Sequence, residues 1–596
     1  MMSNFLSKWV FPAVVATGVA ASPAMALESL RFDVRADDAL AKKVEQASLL
    51  AQAKKDGRTD ARDLFATAQA DYARLLKALY AEGHYGAVIR ILIDGREAGS
   101  ISNFAVPNRI SDITVQVAPG DKFLFGRTAI SPLVTGTSAL PEFARGEVAR
   151  STAIQEAVDQ AVSDWRDAGH AKVDVADQDL SANHRSKELN ALVFMAPGPR
   201  VRLGVLNQTT PSAVRAARIQ AIAGLPTGEV FSPKKIEDAA DRLRKTGAFS
   251  SVAMSEGDVL RSGNVMDVDL ALVDMTPRRF GFGAEVSSLD GLTVSGFWLH
   301  RNLLGGAERF RVEAEVGGVT PALDGIDTRL SARLDVPAAF GTRTSAFAYA
   351  HGEWLHEPGY EALQAGAEVG IGRVFSDKLS GEIGLGYLYS RTTDSQGTRS
   401  FSLLQAPVSG VWDGRDNRLD PTKGFYVDAE IEPYIDLGNG PGVWSKIDAR
   451  GYYGFGERIT VAGRIQAGRA FGQPAANTHP EYLFYSGGGG TVRGHPYQSL
   501  SIDAGGGDTI GGRAFLGLSG EVRYKINDSF GAVAFVDGGW LGAENFFDAG
   551  SGSHIGAGLG VRYYTGLGPI RLDVAAPVRG GTGKGLQIYL GIGQAF

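Results

Sequence analysis

The most informative stretch of the sequence is a glycine run that delivers a single arginine. It reads Gly487-Gly488-Gly489-Gly490-Thr491-Val492-Arg493-Gly494-His495-Pro496-Tyr497. A guanidinium is permanently charged and presents a planar fork of donors that matches carboxylates. Carboxylates occur on the polar face of two later alternating segments, at Glu521 and Asp537. Two interpretations are open, an arginine placed for ion pairing and an ordinary hairpin loop with an exposed arginine.

Other kinds of chemistry find little support in the sequence. The chain contains no cysteine, and its nine histidines form no cluster with metal-ligand spacing. Gly583-Lys584 resembles part of a phosphate loop, but Val578 and Gly585 stand where a glycine and a Ser or Thr are needed. We therefore expect no enzyme activity, no metal and no cofactor.

One charged turn could suggest acid–base chemistry. It contains Asp413, Arg415 and Asp416. Inward-facing charges at a turn of a barrel need partners, and this explains the cluster better than catalysis does.

Composition separates the chain into two regions. Of 78 glycines in 596 residues, 18 lie in residues 1–275 and 60 in residues 276–596. The net charge of −6 gives no reason to expect nucleic acid as a partner. The two regions therefore need separate structural interpretations.

The first 26 residues have the layout of a secretory signal peptide. Lys8 precedes an apolar run over residues 9–21, and Ala24-Met25-Ala26 forms a cleavage site of the A-x-A type. A short buried helix is the alternative. We expect export and a mature chain that begins at Leu27.

Residues 27–275 repeat a small α/β unit. Three helices end in the same way before a strand, at Gly83-His84-Tyr85, Gly169-His170-Ala171 and Gly247-Ala248-Phe249. We predict domains over residues 27–121, 122–199 and 200–275, with helices over Ala39–Ala53 and Ala61–Glu82 in the first. Three unrelated α/β segments are the alternative.

Residues 276–596 alternate between apolar and polar side chains. Phe310, Val312, Ala314 and Val316, for example, interleave with Arg309, Arg311, Glu313 and Glu315. Period two gives a sheet with one apolar and one polar face, which a soluble sandwich also shows. Export and the length of the pattern favour an antiparallel transmembrane β-barrel of about 16 strands, at about 20 residues per strand and turn. Its first strand is predicted near Arg279–Ser287 and its last near Leu586–Phe596.

Three segments together resemble a known family. They are the Val492-Arg493-Gly494 segment with Tyr497, the strand Phe535-Val536-Asp537-Gly538-Gly539, and the strand Gly568-Pro569-Ile570-Arg571-Leu572-Asp573-Val574-Ala575-Ala576-Pro577. The chain resembles the outer-membrane assembly factors that join periplasmic POTRA domains to a 16-stranded barrel. Three POTRA-like units favour the TamA branch of that family. Two residues depart from its pattern: His495, where the family usually has Tyr or Phe, and Gln594 before the terminal Ala595-Phe596.

The resemblance implies a structure and a function. Three POTRA-like domains would lie in the periplasm, and residues 276–596 would form the barrel in the outer membrane. Arg493 and Gly494 would fold into the lumen, where the arginine would meet Glu521 and Asp537. The partners would be outer-membrane lipid, unfolded outer-membrane protein clients and a TamB-like periplasm-spanning protein that docks on the first POTRA-like unit.

From these expectations we hypothesise an insertase whose client strands pair with an opened seam between the first and last strands. The predicted seam residues are Phe280, Phe282, Leu590, Gly591, Gly593 and Phe596. A two-partner secretion transporter, which exports a polypeptide through the pore, is the nearest alternative. A passive porin and a barrel-anchored enzyme are further alternatives.

Overall fold

The computed structural model describes residues 27–102, 104, 106–287, 291–319, 325–505, 508–548, 550–566 and 568–596. The predicted signal peptide lies outside these residues. The chain divides into two compact units, one up to Arg202 together with Glu229–Pro233, the other Leu203–Gly228 together with Lys234–Phe596. Within the described ranges, no helix combines the length and the apolar character needed to cross a membrane.

Six α-helices belong to the α/β part of the chain. They are α1 (Asp38–Ala47), α2 (Leu49–Lys55), α3 (Ala61–Ala81), α4 (Ser151–Asp167), α5 (Ala216–Ala223) and α6 (Pro233–Lys245). The single helix predicted over Ala39–Ala53 is wrong, because it is split at Ser48. The Ser48 side chain caps the start of α2 by accepting from the Ala51 backbone and donates to the buried Asp71.

The first unit contains two sheets, each covered by helices. The strands of the first are β1 (Ser29–Val34), β2 (Val88–Ile93), β3 (Arg96–Glu97) and β4 (Asp112–Ala118), in the order β1-β4-β2-β3. The strands of the second are β5 (Leu124–Ser131), β6 (Asp174–Asn183) and β7 (Glu188–Ala196), in the order β5-β7-β6. Each sheet packs its own apolar core against its helices.

A third α/β segment follows. Its sheet contains β8 (Arg202–Gln208), β9 (Phe249–Arg261) and β10 (Val265–Asp274), in the order β8-β10-β9. The three helix-ending glycines, Gly83, Gly169 and Gly247, all have positive φ, of 87°, 103° and 69°. The repeated sequence phrase therefore corresponds to one local backbone conformation, the left-handed end of a helix.

The rest of the second unit is one large antiparallel sheet and its loops. The strands are β11 (Arg278–Ser287), β12 (Gly291–His300), β13 (Arg309–Val319), β14 (Asp327–Val336), β15 (Thr344–Glu357), β16 (Tyr360–Val374), β17 (Leu379–Asp394), β18 (Gly397–Gln405), β19 (Val408–Asp413), β20 (Gly424–Asp436), β21 (Gly440–Phe455), β22 (Ile459–Phe471), β23 (Ile502–Gly505), β24 (Asp508–Ile510), β25 (Ala514–Lys525), β26 (Phe530–Gly542), β27 (Gly552–Thr565), β28 (Gly568–Arg579) and β29 (Gln587–Ile592). β23 and β24 form a separate ribbon, and the other 17 strands follow one another in the sheet.

The sheet has 17 strand segments rather than the predicted 16. β18 and β19 both pair with β17 on one side and with β20 on the other, so they share one place in the order. Ala406 and Pro407 separate them, and a proline has no N–H to donate to a ladder.

Exposure along the strands is inverted relative to a soluble sheet. On β25, Val522 and Tyr524 face outward, while Glu521 and Arg523 face inward and are buried. An apolar outer face and a charged inner face are what a barrel in a lipid bilayer requires. The alternation seen in the sequence thus becomes a polar lumen.

The two ends of the sheet differ from the strands between them. β11 and β29 lie beside each other, yet among the described residues no ladder of backbone hydrogen bonds joins them. The prediction that the last strand runs to Phe596 is wrong, because β29 ends at Ile592. Gly593, at φ 87°, turns the chain away from the sheet.

Candidate functional site

The long loop between β22 and β25, described over residues 472–505 and 508–513, is called here the lumenal loop, and its residues 486–495 lie inside the barrel. Arg493 lies near the middle of this loop in sequence and is 3% exposed. The guanidinium binds Asp537 through two bonds, with Nε at 2.7 Å from Oδ2 and Nη2 at 3.0 Å from Oδ1. The backbone N–H of Arg493 also donates to Asp537, at 3.2 Å. A bidentate bond of this kind determines both the position and the orientation of the side chain.

Two further carboxylates surround the same guanidinium. Arg493 Nη1 donates to Glu521 Oε1 at 2.7 Å and to Asp573 Oδ2 at 3.2 Å. Glu521 also accepts from Arg523, and Asp573 also accepts from Arg562. Three arginines therefore balance three carboxylates. We call these six residues the lumenal lock: Arg493, Arg523, Arg562, Glu521, Asp537 and Asp573.

Burial makes this balance energetically important. All six side chains are at least 96% buried. Burial acts to lower the pKa of Arg493, but hydrogen bonding to Asp537 and the charges of Asp537, Glu521 and Asp573 outweigh it and raise that pKa. The guanidinium also lies 3.5 Å from the centre of the Phe535 ring. A buried pair adds little net stability, but a buried charge without its partner is strongly unfavourable, so the lock holds the loop in one position.

Glycines permit the loop to approach the barrel wall this closely. Gly494 has φ 98°, and a Cβ there would come within 2.6 Å of the Ala576 carbonyl oxygen on β28. At Gly556 on β27, a Cβ would lie 1.9 Å from the Arg493 carbonyl oxygen. The loop backbone at Arg493 and Gly494 therefore packs directly against the wall at β27 and β28.

The lock also binds the segment that follows the last strand. Arg562 Nε donates to the Gln594 side chain at 2.8 Å, and Arg523 donates to the Phe596 carbonyl oxygen at 3.0 Å. Gln594 in turn donates to Asp420 at 2.8 Å. The Phe596 ring is 5% exposed and packs with Tyr452 and Ala462 inside the barrel. Residues 593–596 are thus held in the lumen.

The predicted seam residues do not all lie at the seam. Phe280 and Phe282 on β11 and Leu590 on β29 face outward and are 68%, 87% and 53% exposed. Gly591 faces inward, beside the Arg571 side chain. Gly593 lies just past the end of β29. The prediction that Phe596 lies at the seam is wrong. The turn at Gly593 directs the chain inward, so Phe596 lies inside the barrel.

The charged turn after β19 pairs its own charges. Arg415 Nε donates to Asp413 at 2.9 Å. Asp416 accepts from the backbone N–H groups of Asn417, Thr422 and Lys423 and so closes the turn. In the described part of the chain, no set of three or more histidine or acidic side chains is arranged to hold a metal ion.

Sequence reasoning missed half of the lock. Arg523 and Arg562 were not singled out within the alternating region 276–596, and Asp573 appeared only as part of a strand that resembles the family. A signal was present, since each occupies a polar-face position of a strand near Glu521 or Asp537 in the order of the sheet. What the sequence did not provide was the register that brings them to the same height.

Comparisons with known proteins agree with this architecture. Residues 302–596 match the sequence model of the Omp85 superfamily domain. The chain is similar to Outer envelope protein 80, chloroplastic, of Arabidopsis thaliana, with 25% identity over 402 residues, which cover 58% of this chain and 50% of that protein. The chain therefore spans about half the length of this curated relative.

Solved structures are similar as well. BamA from Haemophilus ducreyi, in a form lacking POTRA domains 1–3, matches with a TM-score of 0.62 at 16% identity, covering 78% of this chain and 99% of that chain. CdiB from Acinetobacter baumannii matches with a TM-score of 0.47 at 13% identity, covering 79% of this chain and 90% of that chain. The match to BamA shows that the two chains share a barrel fold.

Proposed function

We propose that this chain, whose residues 302–596 match the Omp85 superfamily domain, is an outer-membrane assembly factor that receives client β-strands at the seam between β11 and β29. One observation carries the proposal. Within the described residues, and with β18 and β19 counted as one place, every other pair of neighbouring strands in the large sheet has a registered ladder, whereas β11 and β29 have none.

An unpaired strand edge in a bilayer is a strong template for another strand. Lipid offers no hydrogen-bond partners, so the free N–H and C=O groups of an edge are costly until a strand pairs with them. A client strand supplies those partners by β-augmentation, which uses the backbone and therefore tolerates many side-chain sequences. This suits an assembly factor that serves more than one client.

The closing strand is built to separate easily. β29 has six residues, whereas its neighbour β28 has twelve. Gly591 contributes no side chain to packing within β29, and glycine weakens a strand. Because residues 593–596 are bound inside the lumen, they do not extend the strand along β11.

The finer parts of the proposal concern location and partners. The name of the Arabidopsis relative assigns that protein to an outer envelope, which supports an outer-membrane location here. The three α/β segments would then be POTRA-like domains in the periplasm. Unfolded outer-membrane proteins would be the clients, and a TamB-like protein would dock on the first POTRA-like unit. We expect the chain to act without catalysis, ATP or a cofactor.

A disulfide across the seam tests the proposal. The chain has no cysteine of its own, so one pair can be introduced cleanly. Positions 280–283 on β11 are scanned against positions 588–591 on β29, and the pair that oxidises most completely is chosen. Client assembly is measured with the full chain in liposomes, before and after oxidation. Oxidation is expected to abolish assembly, and a reductant is expected to restore it.

The matched control places a disulfide between two strands that already pair. Val522 on β25 and Ala534 on β26 face each other in register. The V522C/A534C pair should leave assembly unchanged when oxidised. Undiminished assembly with a sealed seam would contradict the proposal, and undiminished export of a polypeptide would instead favour the two-partner secretion alternative.

A further inference from the structure

A second cluster of polar side chains, buried except for the half-buried Thr582, links the lumenal loop to the barrel separately from the lock. Ser486 Oγ lies 2.8 Å from His554 Nε2, and His554 Nδ1 lies 3.0 Å from Thr582 Oγ1. Thr582 Oγ1 is also 2.8 Å from His495 Nδ1, and His495 Nε2 is 3.0 Å from the Ile555 carbonyl oxygen. Ser486, His495 and His554 are at least 99% buried.

Hydrogen-bond chemistry assigns a direction to this chain of contacts. A carbonyl oxygen only accepts, so His495 Nε2 carries a hydrogen, and in a neutral ring Nδ1 then accepts from the Thr582 hydroxyl. The hydroxyl has one hydrogen, so His554 Nδ1 must donate to Thr582, and His554 Nε2 must accept from Ser486. With both imidazoles neutral, four bonds thus run in one direction, from Ser486 to the Ile555 carbonyl oxygen. We call Ser486, His554, Thr582 and His495 the relay.

The relay extends the contacts of the lumenal loop to the turn between β28 and β29, which the lock does not reach. Ser486 and His495 belong to the lumenal loop, and His554 belongs to β27. Thr582 lies in the turn between β28 and β29, five positions before the first residue of β29. A further bond reaches β29 itself, since the Gly494 N–H donates to the Tyr589 hydroxyl at 2.8 Å.

We propose that His495, His554 and Thr582 are positioning residues that couple the lumenal loop to the β28–β29 hairpin, so that the loop and the closing strand are released together. This coupling rests on the proposed function, because it makes opening of the seam depend on release of the lumenal loop. Moving the hairpin away from the loop breaks the Thr582 contacts and leaves buried donors and acceptors unpaired. The cost of these unpaired groups therefore opposes opening of the seam while the loop stays in place.

Hydrogen exchange on the full chain, with no client present, tests the coupling. Thr582→Val removes the hydroxyl at nearly constant volume. It is expected to raise amide exchange at least about fivefold both in residues 485–499 and in residues 587–592, because it removes two hydrogen bonds and the net loss of one has that effect. Thr582→Ser retains the hydroxyl and should keep exchange near that of the wild type.

A matched control removes a hydroxyl from another hairpin. Thr393, which bonds Thr398 next to the β17–β18 turn, is replaced by valine, and exchange in both test segments should not change. Ser486→Ala removes the first donor of the relay from its other end. It should raise exchange in residues 580–592, and it replaces Thr582→Val if that variant folds poorly.

The outcomes separate this inference from the proposed function. Faster exchange confined to residues 580–586, or to the loop alone, would overturn the coupling. The exchange measurement uses no client, so its result stands whether or not the sealed seam blocks assembly. If the seam admits clients while the Thr582→Val variant exchanges like the wild type, only the coupling fails.

Discussion

The wall formed by β25 to β28 and the seam between β29 and β11 are close in the barrel but differ in how they are held. Registered ladders run nearly the full length of the wall strands. On the inner face of these strands, the five charged lock residues of the wall and Arg493 of the lumenal loop balance one another and are buried. At the seam, a six-residue strand lies beside β11 without a ladder in the described residues. Ladders and matched charges therefore hold the wall, whereas no registered ladder holds the seam in the described residues.

This difference shows how a barrel can be stable and still open at one place. The lock uses charge pairing, whose loss is costly because the groups are buried. The seam depends on contacts that can be exchanged for those of a client strand. The two regions meet in residues 593–596, which the lock arginines bind, and in the relay.

The strongest test of the comparison removes the central cation of the lock. Arg493→Ala leaves three buried carboxylates with two arginines, and we expect a loss of roughly 3–5 kcal/mol in the free energy of unfolding. Urea unfolding of the purified barrel measures the loss. Proteolysis of the lumenal loop should increase in parallel, because the loop is no longer bound to Asp537.

An exposed arginine provides the reference for that experiment. The Arg418 side chain is 84% exposed and pairs with Asp413 at the rim of the barrel. Arg418→Ala should change the free energy of unfolding by less than about 1 kcal/mol. If both variants lost the same free energy of unfolding, the lock would not stabilise the wall more than an exposed ion pair stabilises the rest of the barrel.

A smaller effect is expected where the two regions meet. Phe596→Ala removes a buried ring from its contact with Tyr452 and should weaken the hold on residues 593–596 by about 3 kcal/mol. Hydrogen exchange in β29 should rise, and client insertion should become faster. Phe455→Ala, at a ring 56% exposed on the outer face, serves as the control and should change neither. Unchanged exchange in β29 would show that the bound segment does not influence the seam.

The smallest change acts on the closing strand alone. Gly591→Ala should strengthen β29 by about 0.5–1 kcal/mol, because alanine loses less backbone entropy than glycine. The added Cβ would meet Arg571 Nε at 2.9 Å, on a flexible side chain that can move aside. Client insertion should slow by about twofold to fivefold. Gly520→Ala on β25, where no atom lies within 4 Å of the new Cβ, should leave insertion unchanged; equal slowing by both would contradict a special role for β29.

Some parts of the structure could be predicted from local sequence rules. The alternation in residues 276–596 predicts a sheet with two unlike faces, because side chains alternate across a strand. The helix–glycine–strand phrase predicts the positive φ of Gly83, and the structure shows the same conformation at Gly169 and Gly247. The split at Ser48 was not predicted, because it depends on the bond to Asp71, 23 residues away.

The two departures from the family pattern show a further limit of inference from the sequence alone. In the sequence, His495 was only a residue at a position where the family usually has Tyr or Phe, and Gln594 was only a departure from the family's terminal pattern. In the structure His495 is the last donor of the relay, and Gln594 bonds both Arg562 and Asp420. Neither role could be inferred locally, because every partner lies on another strand or loop.

By itself, the sequence determined the class of sheet, the two-region organisation and the permanent charge of Arg493, because each follows from neighbouring residues or from side-chain chemistry. Only the tertiary structure decided which carboxylates meet that charge, that Phe596 turns into the lumen, and that no registered ladder joins β11 to β29 in the described residues. The partners of Arg493 lie 28, 44 and 80 positions along the chain. Strand register and barrel curvature bring them together, and both are properties of the whole sheet rather than of any one segment.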